Sequence, residues 1–188
     1  DIKINKNPDF FLNRKKRILS DNVKGVVSVA SDIMDTYHKN NLITSVKHFP
    51  GHGSAKDDSH EGFVDITNTW SEMELEPYKQ LISAKKVDII MVGHLFNAKI
   101  DSVYPSSISY KTINDLLRKK LGYDGVVVSD AIDMQALSAK YTLEQIVIKS
   151  INAGNDIVLH ANQMSYDKDI AEKIGLLFSS YTVHLPSV

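Results

Sequence analysis

The sequence predicts an α/β fold in which parallel β/α units form part, about half, of a TIM (β/α)8 barrel. Three observations lead there. Amphipathic helical stretches alternate with short strands along the chain. The strands read as apolar throughout, the mark of a parallel sheet covered on both faces. Each ends on an ionisable group, namely Lys47/His48, His94, Asp130 and His160, and parallel α/β folds bind ligands at that end of their strands.

Taken in order, Val23, Val26, Val27, Ala30, Ile33, Met34 and Tyr37 fall at helical spacing, with Ser20 or Asp21 as cap and Asn40-Asn41 as terminator. Leu42 to Phe49 reads as a strand that runs into a glycine-rich loop. Ser71-Glu72-Met73-Glu74 has the form of a capping box and opens a helix to about Lys86. Val87 to Val92 is a strand ending at Gly93-His94. Ser109 or Thr112 starts a helix to Lys120-Leu121, closed by Gly122. Gly125 to Val128 is a strand ending at Ser129-Asp130. Thr142-Leu143-Glu144-Gln145 is a second capping box, and Gly154 closes its helix. Ile157-Val158-Leu159 is a fourth strand, and a last helix covers Asp167 to Phe178.

An open doubly wound sheet fits the same alternation. However, no GxGxxG or GxxxxGK[ST] follows any strand, which disfavours a nucleotide-binding open sheet. A whole barrel takes about 250 residues, and four β/α units are visible in the 188 residues here. The reading is therefore one domain, residues 1–188, forming part of a barrel.

Composition narrows the function classes. Lys and Arg number 22 against 23 Asp and Glu, a net charge of −1, so nothing favours nucleic acid or an anionic membrane as partner. Arg14-Lys15-Lys16-Arg17 is the one basic cluster. Cysteine is absent, which removes disulfides, thiolate nucleophiles and Cys-based zinc sites. No apolar run approaches the ~20 residues of a membrane-spanning helix. The chain starts at Asp1 rather than Met, so an upstream targeting segment could have been lost and localisation is not readable from it; a cytoplasmic setting is slightly favoured, with periplasmic or secreted settings left open.

The chemistry concentrates in Lys47-His48-Phe49-Pro50-Gly51-His52-Gly53, followed by Asp57-Asp58-Ser59-His60. Lys and His are poor strand fillers, and a lysine at a strand end needs a partner or a ligand. Two glycines suit a loop that closes over a substrate. Asp58 stands two residues before His60, close enough to accept its ring N–H and favour an imidazolium suited to general-acid work. Asp130 follows Val126-Val127-Val128-Ser129 at the rim. It reads either as a helix N-cap or as a nucleophile kept ionised by nearby helix amides.

Together these residues resemble glycoside hydrolase family 3, in particular its β-N-acetylglucosaminidase branch. The first matching block is Lys47 to Gly53, then four residues, then Asp58-Ser59-His60. The second is Tyr104-Pro105-Ser106-Ser107-Ile108-Ser109, then Leu117 to Asp130 with Met134 beyond. Ala153-Gly154-Asn155-Asp156-Ile157-Val158-Leu159 looks like the last barrel strand. The resemblance implies Asp130 as nucleophile, His60 as general acid/base with Asp58 as its partner, and Lys47 and His48 on sugar hydroxyls. Arg17 is similar in position to a sugar-contacting arginine, although Ile18-Leu19-Ser20 replaces the glycine and aromatic expected after it. The Asp-Gln-Glu-Gly-Gly segment of the family's early strands has no counterpart. Asp1 to Asn5 looks like the tail of the fourth barrel strand, so about half of a family barrel would be missing.

The implied activity is a retaining hydrolase that removes terminal β-linked N-acetylglucosamine from peptidoglycan-type or chitooligosaccharide substrates, without metal or organic cofactor. Open strand edges suggest a homodimer. Three other readings stand beside it. His48, His52, Asp58, His60 and His94 could bind a divalent metal in a metal-dependent hydrolase. Phosphate could replace water in the second step. The chain could also be an inactive remnant.

Overall fold

The computed structural model describes Asp1, residues 10–162 and residues 166–180. Residues 2–5, read above as a strand tail, lie outside the described residues. The element order is α1 (Phe11–Arg14), α2 (Val23–Lys39), β1 (Ser45–Phe49), β2 (Val64–Asp65), a 3-10 turn Glu72–Leu75, α3 (Glu76–Ser83), β3 (Ile89–Val92) and β4 (Leu95–Phe96). After these come a 3-10 turn Ser106–Ile108, a helix Lys111–Lys120 with i→i+5 bonding, β5 (Val126–Ser129), α4 (Gln135–Ser138), α5 (Leu143–Ala153) and α6 (Ile170–Ser180).

Strands β1, β3 and β5 form a parallel sheet in the order β1-β3-β5, and β2 pairs with β4, also parallel. Each connection within the main sheet passes through a helix, as parallel pairing demands. Register places Val46, Ile90 and Val127 side by side, and these pack with Phe49 and Val92 against Leu75 and Tyr78 of the α3 region and Ile113 and Leu117 of the 111–120 helix. A second cluster, Ile108, Ile132, Leu137, Ile146 and Val147, lies under α4 and α5. The main core is thus one sheet face closed by helices.

The expectation that both faces are covered is corrected. On the other face Ser45, Lys47 and Val126 are exposed. That face lines the interior in a closed barrel, where side chains from further strands fill it. The fourth strand is also shorter than expected. Ser129 donates its amide to the Ile157 carbonyl (3.0 Å), but the Leu159 amide goes to the Ser129 hydroxyl (3.1 Å). A side chain replaces a ladder partner there, and a single bridge, Val128 to Ile157, remains.

Caps follow the sequence with one shift. Asn22, not Ser20 or Asp21, caps α2 by accepting from the Gly25 amide (2.8 Å). Thr142 and Gln145 form the full capping box of α5, and Gly154 ends that helix at φ 102°. Asn155 then donates to the Ser107 carbonyl (2.9 Å), and Asp156 accepts from the Val127 amide (2.7 Å) and from Arg118 (2.7 Å). The Ala153–Asp156 motif is therefore a structural splice between α5 and the sheet.

Candidate active site

Parallel pairing puts the C-terminal ends of β1, β3 and β5 on one rim, and staggered backbone bonds tie them together. The Gly93 amide donates to the Phe49 carbonyl, the Asp130 amide to Val92 and the Ile132 amide to Leu159, each at 2.9 Å. Lys47/His48, His94, Asp130 and the segment leading to His160 therefore share that rim. Asp130 does not cap a helix. Its Oδ1 accepts from the adjacent Ala131 amide (2.9 Å), while α4 begins later, with Met134 at its N-cap position.

The loop after β1 returns to the same place. His60 donates both its amide (2.9 Å) and its ring Nδ1 (2.7 Å) to Oδ1 of Asp58. A carboxylate accepts only, so Nδ1 carries hydrogen and Nε2 is the nitrogen left for chemistry. His60 is exposed and Asp58 is half-buried. Burial pushes the Asp58 carboxyl up, but the two bonds from His60 outweigh it and hold the group below its ordinary value. The Ala136 amide donates to the Ser59 carbonyl (3.3 Å). That bond ties the Asp58–His60 dyad to the helix that follows Asp130.

Lys47, His48 and Arg17 line one cavity of about 250 Å³ together with Asp1 and Glu74, between α2, β1 and α3; Asp58, His60 and Asp130 are not in its lining. Lys47 is exposed, so it does not need a buried counter-charge. His48 is buried at 8% exposure. Burial drives its pKa down, against the attraction of Asp130, with Lys47 and Arg17 lowering it further. Its Nδ1 lies 3.2 Å from the Asp1 carboxylate, so Nδ1 donates and Nε2 of the neutral ring is an acceptor, suited to a hydroxyl donor.

The loop between the two halves is held from beneath. Asp1 accepts from the His52 amide (2.9 Å), and Glu74 accepts from the Gly53 amide (2.9 Å) and the Ser54 hydroxyl (2.5 Å). Behind Asp130, His94 is fully enclosed. Its Nε2 meets the Ala131 carbonyl (2.8 Å) and its Nδ1 the Ser107 hydroxyl (2.6 Å). A carbonyl cannot donate, so Nε2 carries the hydrogen and Ser107 donates to Nδ1. Burial accordingly lowers the His94 pKa.

Comparison with known proteins gives the family. The glycosyl hydrolase family 3 N-terminal domain matches residues 2–177. The chain belongs to glycosyl hydrolase family 3. It is 35% identical over 150 residues to a protein of Haemophilus influenzae named Beta-hexosaminidase, an alignment covering 78% of this chain and 42% of that one. A Tolumonas auensis protein of the same name is 31% identical over 170 residues, covering 86% and 51%. The family 3 chain thus spans about half, or less, of the length of these relatives. Among solved structures, the β-N-acetylglucosaminidase from Thermotoga maritima superposes with a TM-score of 0.68 at 32% identity, covering 85% of this chain and 36% of that one. The family 3 β-N-acetylglucosaminidase of a Paenibacillus species gives 0.73 at 30%, covering 85% and 30%. The Beutenbergia cavernae β-N-acetylhexosaminidase, at 23% identity and TM-score 0.82 over 95% of this chain and 52% of that one, supports the fold.

Two groups beside the candidate site escaped the sequence reading. Glu74 was assigned to a capping box. It does reach back to the Ser71 amide, but its carboxylate is buried under the loop, and a capping glutamate looks the same in sequence whichever way it turns. Asp1 had no local pattern to betray it. The histidine–carboxylate set of the metal reading does not converge. His94 has both ring nitrogens on protein partners, and among the described residues no three His, Cys, Asp or Glu side chains gather as a metal site.

Proposed function

We propose that this chain carries the catalytic rim of a retaining glycosidase that removes terminal β-linked N-acetylglucosamine from peptidoglycan-type or chitooligosaccharide substrates. The observation that supports the reading is the Ala136–Ser59 hydrogen bond (3.3 Å), which ties the loop carrying the Asp58–His60 dyad to the helix that follows Asp130. Names of similar proteins supply the substrate class.

In this reading Asp130 attacks the anomeric carbon while His60, protonated at Nε2, gives that proton to the leaving oxygen. The bond to the leaving group breaks as the bond to Asp130 forms. His60 then takes a proton from water at Nε2, and the hydroxide displaces Asp130, giving net retention. Asp58 holds the ring in one tautomer throughout. Lys47 and Arg17 donate to sugar hydroxyls, and the neutral His48 accepts from one.

Asp130→Asn in the complete polypeptide is expected to lower turnover of an aryl N-acetylglucosaminide by at least about a thousandfold. Wild-type enzyme quenched during turnover should yield a peptide containing Asp130 that carries one N-acetylglucosaminyl mass. Label on another residue, or an active Asn variant, removes the assignment. Turnover that depends on added phosphate, releasing sugar 1-phosphate, would favour phosphorolysis over hydrolysis. The exposed face of β1 and the apolar side chains Val29, Ile33 and Tyr37 on α2 support a homodimer as the assembly.

A further inference from the structure

Among the described residues the catalytic reading leaves the buried acid Glu74 unused. Glu74 is 1% exposed, sits in the 3-10 turn that opens α3, and among the described residues has no lysine or arginine as a hydrogen-bond partner. Both its oxygens are spent on the loop, Oε2 on the Gly53 amide and Oε1 on the Ser54 hydroxyl. The Ser71 and Ser54 amides also bond to it. The fit is close. A Cβ on Gly51, which has φ +126°, would lie 2.5 Å from the Glu74 Cβ and 2.6 Å from Oε2. Few residues separate Gly53 and Ser54 from Asp58 and His60, and Ser54 is the last fully buried polar residue before the loop emerges at Lys56.

We propose that Glu74 is a positioning residue whose carboxylate clamps the Gly53–Ser54 hinge from which the Asp58–His60 loop hangs, so that loss of the clamp displaces the acid/base more than it disturbs the sugar contacts, whose cavity Glu74 also lines. The proposal rests on the reading of His60 as acid/base for its catalytic consequence, though not for its structural one. Burying an acid is costly unless its oxygens are satisfied, and the partners that repay this cost are hinge donors. Its free energy is therefore coupled to hinge geometry. Consistent with that cost, burial raises the Glu74 pKa to about 7 against the opposing bonds from Ser54, Gly53 and Ser71. The ionisable group facing it from α3 is Tyr78, and the Asp1 and Arg17 side chains line the same cavity. Asp1 holds the neighbouring His52 amide in parallel, so the loop is fixed at consecutive residues by two acids from different elements.

Glu74→Gln tests this. An amide offers one acceptor oxygen; the Ser54 hydroxyl can turn to accept from its NH2 group, but the Gly53, Ser54 and Ser71 amides only donate and that one oxygen does not accept all three. Amide hydrogen exchange at Gly53 and Ser54 in the 188-residue chain is expected to speed by at least about tenfold, with Ile90 and Val127 unchanged. Ser54→Ala removes one arm without altering the acid and should give a smaller acceleration confined to the same amides. In the complete polypeptide, Glu74→Gln should lower kcat with KM little changed, and Glu74→Asp should restore part of it. Unchanged exchange at Gly53 in both variants overturns the clamp. Faster exchange with an unchanged kcat would retain the hinge but refute its role in placing His60. A His60→Ala enzyme of full activity would refute the acid/base reading while leaving the hinge result intact.

Discussion

At the scale of single residues, burial and pairing decide what each ionisable group can do. Asp58 is ionised and engaged, His48 and His94 are neutral, and Glu74 sits between the two states. This has consequences for stability. An unfolded Glu74 has an ordinary value of 4.5 and the folded one about 7, so its neutral form contributes stability that is full below 4.5 and is lost as pH rises through 7. His52 runs the other way. Its pKa falls from 6.5 to about 4, chiefly through burial, so its contribution is present above 6.5 and is lost as pH falls towards 4. Urea midpoints across pH 4.5 to 7 should therefore show the Glu74→Gln variant improving relative to wild type as pH rises. A constant gap between the two would contradict the raised value. Lys47, His48, Asp58, His60 and Asp130 stood out as candidates because their residue types were wrong for a strand end or suited to a loop. Glu74 was hidden because a helix-opening glutamate is ordinary.

At the scale of elements, local signals that satisfy backbone groups were read well. Thr142 with Gln145 and Gly154 bound α5 where the pattern put them. Thr142→Ala should cost about 1 kcal/mol in chemical denaturation and leave the rim untouched, since the cap lies away from it. Leu117, fully buried between the 111–120 helix and the sheet, is a different case. Leu117→Ala should cost about 2–5 kcal/mol through the cavity it leaves. A loss below 1 kcal/mol would mean the helix repacks. The fourth strand was overestimated because apolar spelling at 157–159 carries no information about where the Leu159 amide finds its partner. Ser129, one strand away, takes it. The i→i+5 bonding of Lys111–Lys120 likewise had no signature in a pattern that reads equally well as ordinary helix.

At the scale of the whole molecule, one face of the main sheet is closed by helices and the other is partly open, with β1 at an edge among the described strands. Exposed Val29, Ile33, Leu42, Ile43 and Tyr37 cluster in sequence around that edge. Sedimentation velocity of the chain should return a dimer at micromolar concentration, and Ile33→Lys should shift it towards monomer. A monomer with the wild-type sequence would refute self-association through this face. Activity measurements belong with the complete polypeptide, since the relatives extend well past what this chain covers.

By itself the sequence determined the alternation of helices and parallel strands, their order, most of their caps and the rim on which the reactive side chains fall, because strand polarity and chain order are enough to put those residues at one end. Only the tertiary structure decided which carboxylates face inward. It brought Ser59 to Ala136, turned Glu74 under Gly53 and set Asp1 against His48, pairings between residues 20 or more positions apart. Such contacts are chosen by the packing of whole elements, and no local spacing encodes them.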